Sequence, residues 1–243
     1  MTTSALSIVL VRPQKASNLG SVARVAKNFG VRSLSVVEPA VTPDEESHRL
    51  AAGADDLLDT LARYPSLSEA VAAFPLVVTT SSLRGRARSG ALELPQLPDL
   101  VARAGPRGRV AFVFGPERSG LTEEEMSRAS ACLRVPTDSA FPTLNLSHAV
   151  AVVLAVARAF RREPAPAAPA RDWAQADEVE AAVSHWDAAL DAVDFYDTGH
   201  RERSLRDWRK LIAGRPLTKR EVRILRGVAN RILVTLRRKE ERF

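Results

Sequence analysis

The chain has 243 residues, of which 45% are hydrophobic and 26% are charged, with 12 Gly and 15 Pro. This composition is typical of a globular protein and excludes disordered, collagen-like and low-complexity fibrous classes. The single cysteine, Cys132, excludes an internal disulfide and a cysteine-based zinc site and indicates a reducing compartment. The apolar run at residues 8–11 is too short to span a bilayer, and no basic segment precedes it, so we expect a cytoplasmic protein without a membrane partner.

Positive charge is concentrated at the C-terminal end, although the net charge is only +6. Residues 201–243 carry 15 basic and five acidic side chains, whereas residues 171–197 carry one Arg and eight acidic side chains. Such asymmetry is typical of an appendage that binds a polyanion, above all a nucleic acid. The alternative is a solvated face whose charges pair within the protein.

Short β-branched runs alternate with stretches of helical spacing over residues 1–162. The runs predict strands at Leu6–Val11, Ser33–Glu38, Leu76–Thr80, Val110–Phe114 and, more weakly, Cys132–Val135. Apolar periodicity and a capping box at Thr122 and Glu125 predict helices over Asn18–Phe29, after Leu121 and over Asn145–Phe160. The first of these helices would display Arg24 outside the core. We therefore predict an α/β domain, a parallel sheet with helices on both faces.

The remainder of the chain predicts a small all-α domain. Residues 163–172 contain the stretch PAPAAPA, which neither helix nor strand can continue through, and we interpret them as a linker. In residues 173–243, apolar spacing predicts an amphipathic helix over Trp173–Tyr196, and Thr218 and Glu221 form a capping box that opens a final helix.

Three segments combine polar residues and glycines at strand-to-helix junctions, namely residues 17–24, 112–121 and 141–147. Because the carboxyl ends of parallel strands meet at one edge, their side chains are expected to converge where ligands bind in α/β sheets. Taken singly, each segment also fits a structural role: a helix cap, a salt bridge in a turn, or a solvated Arg.

The motifs Asn-x-Gly-x-x-x-Arg (18–24), Phe-Gly-Pro-Glu-Arg-x-Gly-Leu (114–121) and Leu-Asn-Leu-Ser-x-Ala-Val (144–150) resemble those of the SPOUT (trefoil-knot) RNA 2′-O-ribose methyltransferases. In the C-terminal part of the chain, Phe195-Tyr196-Asp197, residues 205–207 and residues 221–227 resemble the helical extension of the bacterial tRNA methyltransferases that act on the ribose of nucleotide 32.

The resemblance implies a C-terminal trefoil knot and a homodimer with its active site near the subunit boundary. It implies S-adenosylmethionine as cofactor, without a metal, and RNA, specifically tRNA, as partner. The implied reaction is 2′-O-methylation of C or U at nucleotide 32 of the anticodon loop. Methylation of rRNA or of another tRNA position is the nearest alternative, and a non-catalytic RNA-binding or ribosome-assembly protein is a second.

The implied catalytic residues are Asn18, Arg24, Glu117 and Asn145. The implied cofactor-binding residues are Thr80, Ser81, Ser82, Gly115, Val135, Thr143, Leu144 and Asn145. Thr143 stands where relatives usually have Ser, and it keeps the hydroxyl.

A guanidinium is a poor general base, so Arg24 suits phosphate binding and stabilisation of a forming alkoxide better, with Asn18 positioning it. Cys132 is expected to be a small hydrophobe on a strand, and His148 to lie on a helix face.

Overall fold

The computed structural model describes residues 5–81, 91–104, 108–159, 172–196, 201–213 and 215–240. Seven parallel strands form one sheet in the order β3-β2-β1-β6-β4-β7-β5. They are β1 (Ala5–Val11), β2 (Ser33–Val37), β3 (Ala62–Tyr64), β4 (Leu76–Ser81), β5 (Leu92–Glu93), β6 (Arg109–Phe114) and β7 (Ala131–Arg134).

Seven helices accompany the sheet within the described residues, and three more follow it. The first group comprises α1 (Ala16–Asn28), α2 (Glu45–Ala51), α3 (Asp55–Asp59), α4 (Leu67–Val71), α5 (Leu97–Arg103), α6 (Glu123–Ser127) and α7 (Leu146–Ala159). The C-terminal group comprises α8 (Ala176–Asp191), α9 (Arg201–Ala213) and α10 (Lys219–Glu240). No helix among the described residues is both long enough and apolar enough to cross a membrane.

Apolar residues cover both faces of the sheet because side chains of a strand alternate between them. Ile8 and Leu10 of β1 belong to the cluster that contains the apolar residues of α1, α5 and α7. Val9 and Val11 belong to a second cluster on the opposite face, which contains those of α4. The predicted fold class, a parallel sheet with helices on both faces followed by a helical region, is confirmed.

The helical region has its own apolar core and also packs on the sheet domain. Ala182 and Val183 of α8, Ile212 of α9 and Val222 of α10 are buried together. The indole nitrogen of Trp173 donates to the Ala104 carbonyl oxygen over 3.1 Å. We define α8, α9 and α10 with residues 172–175 as the C-terminal module.

Predicted strands and helices lie where the structure has them, apart from their ends. The structure adds two strands that the sequence pattern did not predict, β3 and β5, which are the outermost strands of the sheet. It also adds four short helices of the sheet domain, α2 to α5, and helix α9 of the C-terminal region. The predicted linker falls almost entirely within residues 160–171, outside the described residues, so the domain boundaries, like the knot, remain predictions.

Candidate active site

A hydrogen-bonded chain of three side chains joins the three motif segments. Asn18 is 6% exposed in the first turn of α1. Its Nδ2 donates to Glu117 Oε1 over 2.6 Å, and its Oδ1 accepts from Asn145 Nδ2 over 3.2 Å. We call these three residues the Asn18 cluster. The structure thus brings together three of the four side chains that the resemblance implied as catalytic.

Glu117 is held by the loop that follows β6. Its second oxygen, Oε2, accepts from the backbone N–H of Gln14 over 3.3 Å, so both carboxylate oxygens have donors. The loop folds back on itself: a Cβ at Gly115 would lie 2.5 Å from the Leu121 nitrogen, and Gly120 has a φ of +67°. Glycine is required at both positions, at the first for space and at the second for the left-handed backbone.

Asn145 is fixed by the start of α7, whose first residue follows it. Its Oδ1 accepts from the Ser147 N–H over 2.9 Å and from Ser147 Oγ over 2.8 Å. The amide oxygen therefore caps the helix, while the amide nitrogen is left to face Asn18. One side chain thus makes both the helix cap that the sequence predicted and the hydrogen bond to Asn18.

The glycine of the first motif has a packing role. A Cβ at Gly20 would lie 2.0 Å from the Ser47 carbonyl oxygen, so glycine lets α1 approach the backbone of α2. This residue belongs to the scaffold that orients Asn18.

Arg24 lies apart from the Asn18 cluster of its own chain. It is exposed on α1, and no hydrogen bond or ion pair joins its side chain to another described residue. Six residues of helix place it about 9 Å along the axis from Asn18 and about 120° away around it. The expectation that Asn18 positions Arg24 is therefore corrected for a single chain, because the Asn18 amide is directed to Glu117 and Asn145.

The residues implied as cofactor-binding lie mostly at the carboxyl ends of three neighbouring strands. Thr80 and Ser81 end β4, Gly115 follows β6, and Val135 follows β7. Strand β4 pairs with both β6 and β7, so these ends are adjacent. Thr143 and Leu144 lead into α7, on the segment that ends at Asn145. Ser82 lies outside the described residues.

The chemistry of this edge suits a molecule with an apolar ring and polar ends. Val135 is buried and Leu144 packs against the core, so both offer apolar surface. Arg134 has a buried Nε without a hydrogen-bond partner among the described residues, and its NH2 pairs with Glu93 over 2.6 Å. Thr80 Oγ1 donates to the Val113 carbonyl over 3.1 Å, so its hydroxyl serves the sheet. These residues fit an adenosine-containing amino acid such as S-adenosylmethionine.

Four residues around the Asn18 cluster were not predicted from the sequence to belong to the site: Arg12, Gln14, Glu125 and Ser147. Gln14 acts through a backbone N–H, which no residue type reveals. Arg12 binds Glu125 through both terminal guanidinium nitrogens, NH1 and NH2. Burial raises the pKa of Glu125, but hydrogen bonds from Arg12 and the Thr122 backbone outweigh it and hold the pKa below its ordinary value.

Cys132 and His148 lie where the sequence predicted them, on a strand and on a helix face. Cys132 lies half-buried on β7, with its Sγ 3.9 Å from Met126 Sδ. His148 is exposed in the first turn of α7.

Comparison with known proteins finds relatives that match this protein over nearly its whole length. The tRNA (cytidine/uridine-2′-O-)-methyltransferase TrmJ of Yersinia enterocolitica is 32% identical over 238 residues, which cover 93% of this chain and 91% of that protein. The tRNA (cytidine-2′-O-)-methyltransferase TrmJ of Methanocaldococcus jannaschii is 34% identical over 152 residues, which cover 61% of this chain and 65% of that protein. The crystal structure of TrmJ from Z. mobilis superposes with a TM-score of 0.79 at 28% identity, covering 94% of this chain and 99% of that one.

Family models match both parts of the molecule. The model of the C-terminal domain of the tRNA methyltransferase TrmJ matches residues 177–241. The model of the SpoU rRNA methylase family matches residues 5–155, which include all three motifs and more than half of the chain. This chain therefore belongs to the SpoU rRNA methylase family.

Proposed function

We propose that this protein methylates the ribose 2′-hydroxyl of tRNA, at C or U in position 32 of the anticodon loop. It acts in the cytoplasm as a homodimer, with S-adenosylmethionine as methyl donor and without a metal. The observation that carries the proposal is the Asn18 cluster, which joins three separate motifs at one edge of the sheet. The tRNA substrate is supported by the relatives, which are tRNA 2′-O-methyltransferases.

The chemistry requires alignment more than covalent catalysis. When bound, S-adenosylmethionine would supply an electrophilic methyl group: the ribose 2′ oxygen would bond to the methyl carbon, the electrons of the broken carbon–sulfur bond would stay on sulfur, and the hydroxyl proton would pass to solvent water. A direct displacement of this kind needs no enzyme nucleophile. The chain must hold the hydroxyl in line and stabilise its developing negative charge.

Glu117 is the residue we assign to orienting the 2′-hydroxyl. Donors from Asn18 and Gln14 fix both of its oxygens, yet each carboxylate oxygen has a second lone pair that can accept from a ribose hydroxyl. Asn145 supports this geometry because α7 fixes its own amide. The cluster thus presents a rigid acceptor at the edge where the cofactor residues lie.

Arg24 completes the site from across a subunit boundary in this proposal. Its exposure on α1 leaves the guanidinium available to the Asn18 cluster of a second copy. Helix α7 carries the surface for such pairing, because several of its small apolar residues are only half-buried: Ala149, Ala151, Val152, Ala155 and Val156. Arg24 of the partner subunit would bind the phosphate beside the target ribose and stabilise the alkoxide.

Mapping of ribose methylation tests the assignment. Purified protein, S-adenosylmethionine and a tRNA transcript should give one 2′-O-methyl group at nucleotide 32, and a transcript with a 2′-deoxy residue there should give none. Methylation elsewhere in the tRNA, or of rRNA alone, would contradict the target. Failure to bind S-adenosylmethionine in calorimetry would favour the non-catalytic RNA-binding alternative.

The variant Arg24→Lys tests the role of the guanidinium. Lysine keeps the charge but cannot bind a phosphate through two parallel hydrogen bonds, so turnover at saturating cofactor should fall at least ~10-fold. The control Arg32→Lys changes another exposed arginine and should retain wild-type turnover. Near-normal turnover of Arg24→Lys would refute the bidentate role.

A further inference from the structure

An arginine at the end of β1 spans two carboxylates behind the Glu117 loop. Arg12 NH1 donates to Glu125 Oε1 over 2.6 Å, and NH2 donates to Glu125 Oε2 over 3.0 Å. NH1 also donates to Glu38 Oε2 over 3.2 Å. The side chain of Glu125 is only 14% exposed and that of Arg12 is 34% exposed. Paired, bidentate geometry of this kind is the strong form of an ion pair.

The backbone at this point is held in an uncommon conformation. Arg12 has a φ of +45° and Glu38 a φ of +44°, although neither is glycine. The Arg12 N–H donates to the Val37 carbonyl over 2.8 Å, so the turn after β1 is tied to the end of β2. A non-glycine residue persists in the left-handed region only where its surroundings determine it, and such positions cluster around functional sites.

The two partners of this ion pair lie on the two segments that hold Glu117. Two residues after Arg12, the Gln14 N–H donates to Glu117 Oε2. On the other side, Glu125 lies in α6, directly after the Glu117 loop, and its Oε2 accepts from the Thr122 N–H over 2.7 Å. The Glu117 loop, which joins β6 to α6, is short and is closed by a hydrogen bond: the Gly120 N–H donates to the Pro116 carbonyl over 2.9 Å.

We propose that Arg12 and Glu125 form a positioning clamp that keeps the Glu117 carboxylate in register with Asn18 and Gln14 for methyl transfer. This inference rests on the proposed function. The clamp joins the two segments that carry Glu117 and its backbone donor, and it lies at the rim of the sheet, whereas the buried Phe114 and Leu121 already anchor the loop to the core. Without the clamp the fold persists, but the carboxylate gains freedom. Misplacement by about 1 Å is enough to reduce a rate ~100-fold.

The variants Arg12→Gln and Glu125→Gln test the clamp. Glutamine at position 125 can still cap α6 through its amide oxygen, but it loses the charge and the second acceptor that bidentate binding of Arg12 requires. Each variant should lower kcat at least ~10-fold with little change in KM for S-adenosylmethionine, because most of the implied cofactor residues lie outside the Glu117 loop, on β4, after β7 and before α7. If the pair acts as a unit, the double variant should be no slower than the slower single variant.

Arg128→Gln is the matched control. Arg128 directly follows α6. Its NH2 donates to Glu124 of α6 over 2.9 Å and its NH1 donates to Ser68 of α4 over 2.7 Å, so its loss weakens the attachment of the same helix without touching Arg12. The control should lose thermal stability to a similar degree and keep wild-type kcat. Equal losses of kcat in Arg128→Gln and Arg12→Gln, or an unchanged kcat in Arg12→Gln, would overturn the clamp.

Hydrogen exchange separates this inference from the proposed function, since it needs no substrate. The amides of Gln14 and of residues 117–122 should exchange faster in Arg12→Gln than in wild type or Arg128→Gln. Suppose that these amides exchange faster in Arg12→Gln but the wild-type protein transfers no methyl group to tRNA. Then the proposed function is wrong, while the role of the clamp in holding the Glu117 loop is supported. If they exchange at the wild-type rate, the clamp is wrong whatever the activity.

Discussion

A primary amide at position 18 can donate and accept at once, which no carboxylate or hydrocarbon of similar size does. Asn18 uses both capacities, donating to Glu117 and accepting from Asn145. Because the side chain is buried, water cannot replace either partner. The cluster therefore depends on the residue type and not only on its shape.

The variant Asn18→Asp should expose this dependence. A carboxylate in place of the amide would face Glu117 within hydrogen-bond distance, so turnover near pH 8 should fall ~100-fold or more. Two close carboxylates raise the pKa of one of them, because like charges oppose ionisation. Protonation at lower pH restores a donor, so the ratio of variant to wild-type kcat should rise as the pH falls from about 8 to 6.

The control Asn28→Asp adds the same charge to an exposed position at the end of α1 and should keep a wild-type profile. A constant ratio across this pH range would show that Asn18 does not exchange a hydrogen bond with Glu117.

At the residue level, the sequence predicted which segments meet at the candidate site better than it predicted the contacts between their side chains. Three strand-to-helix junctions had to converge, because parallel strands end at the same edge of a sheet. The helical periodicity that places Arg24 on the exposed face also turns it away from Asn18, about 120° around the axis of α1. Side chains six residues apart on one helix do not meet, so the expected contact between Asn18 and Arg24 was wrong within a single chain. The Gln14 N–H and the Arg12–Glu125 ion pair depend on loop conformation, which spacing does not encode.

At the level of elements, two glycines on helices have opposite roles. Gly20 of α1 leaves no room for a Cβ, which would meet the Ser47 carbonyl oxygen at 2.0 Å. Gly227 of α10 has no heavy atom within 4 Å of such a Cβ. Gly20→Ala should lower the free energy of unfolding by ~1–3 kcal/mol or more through overpacking. Gly227→Ala should raise helix stability by ~1 kcal/mol because alanine has the higher helix propensity.

Urea unfolding of both variants measures this difference, and each serves as the control of the other. A stabilised Gly20→Ala protein would mean that α1 and α2 are not in backbone contact.

At the start of α10, Glu221 has a strongly depressed pKa. A hydrogen bond from Arg215 over 2.5 Å and one from the Thr218 N–H over 2.7 Å lower the pKa of Glu221 from 4.5 to about 2. Since the folded pKa lies below the unfolded one, this carboxylate stabilises the folded state above about pH 4.5, and the contribution is lost as the pH falls towards 2. The melting temperature of Glu221→Gln should therefore fall less steeply than that of wild type as the pH is lowered through this range.

The control Glu202→Gln removes an exposed carboxylate from α9 and should leave the acid-induced fall unchanged. Circular dichroism melts between pH 5 and 2 test both variants, and the same slope in Glu221→Gln as in wild type would exclude the assigned ion pair.

Elements were predictable where their apolar pattern was long enough to show a period. Strands β3 and β5 have three and two residues, too few for alternation, and each is held by pairing with a single neighbouring strand. Helix α9 did carry a helical pattern: Leu205, Trp208 and Ile212 recur at spacings of three and four and pack in the core of the C-terminal module. Its high arginine content concealed that pattern.

In the whole molecule, the C-terminal module is docked on the sheet domain and does not project from it. Ala176 packs against the second apolar cluster of the sheet, the one that contains Val9 and Val11 of β1. The Asp177 N–H donates to the Ala72 carbonyl over 3.5 Å. No composition argument predicts such docking, since charge asymmetry reports what a segment attracts and not where it lies. A docked basic helix can place RNA in a fixed relation to the Asn18 cluster, which a flexible tail cannot.

The salt dependence of tRNA binding tests whether α10 contacts the RNA backbone. Arg223, Arg231 and Arg237 are exposed on α10, and each phosphate contact they make releases counterions. Replacing all three with Gln should reduce the slope of log K against log salt by about 2 if each contacts one phosphate. The matched control replaces Arg32, Arg49 and Arg63, exposed arginines of the sheet domain, and should leave the slope near wild type. An equal reduction in both variants would mean that the RNA responds to total charge, and an unchanged slope in the α10 variant would remove this helix from the RNA-binding surface.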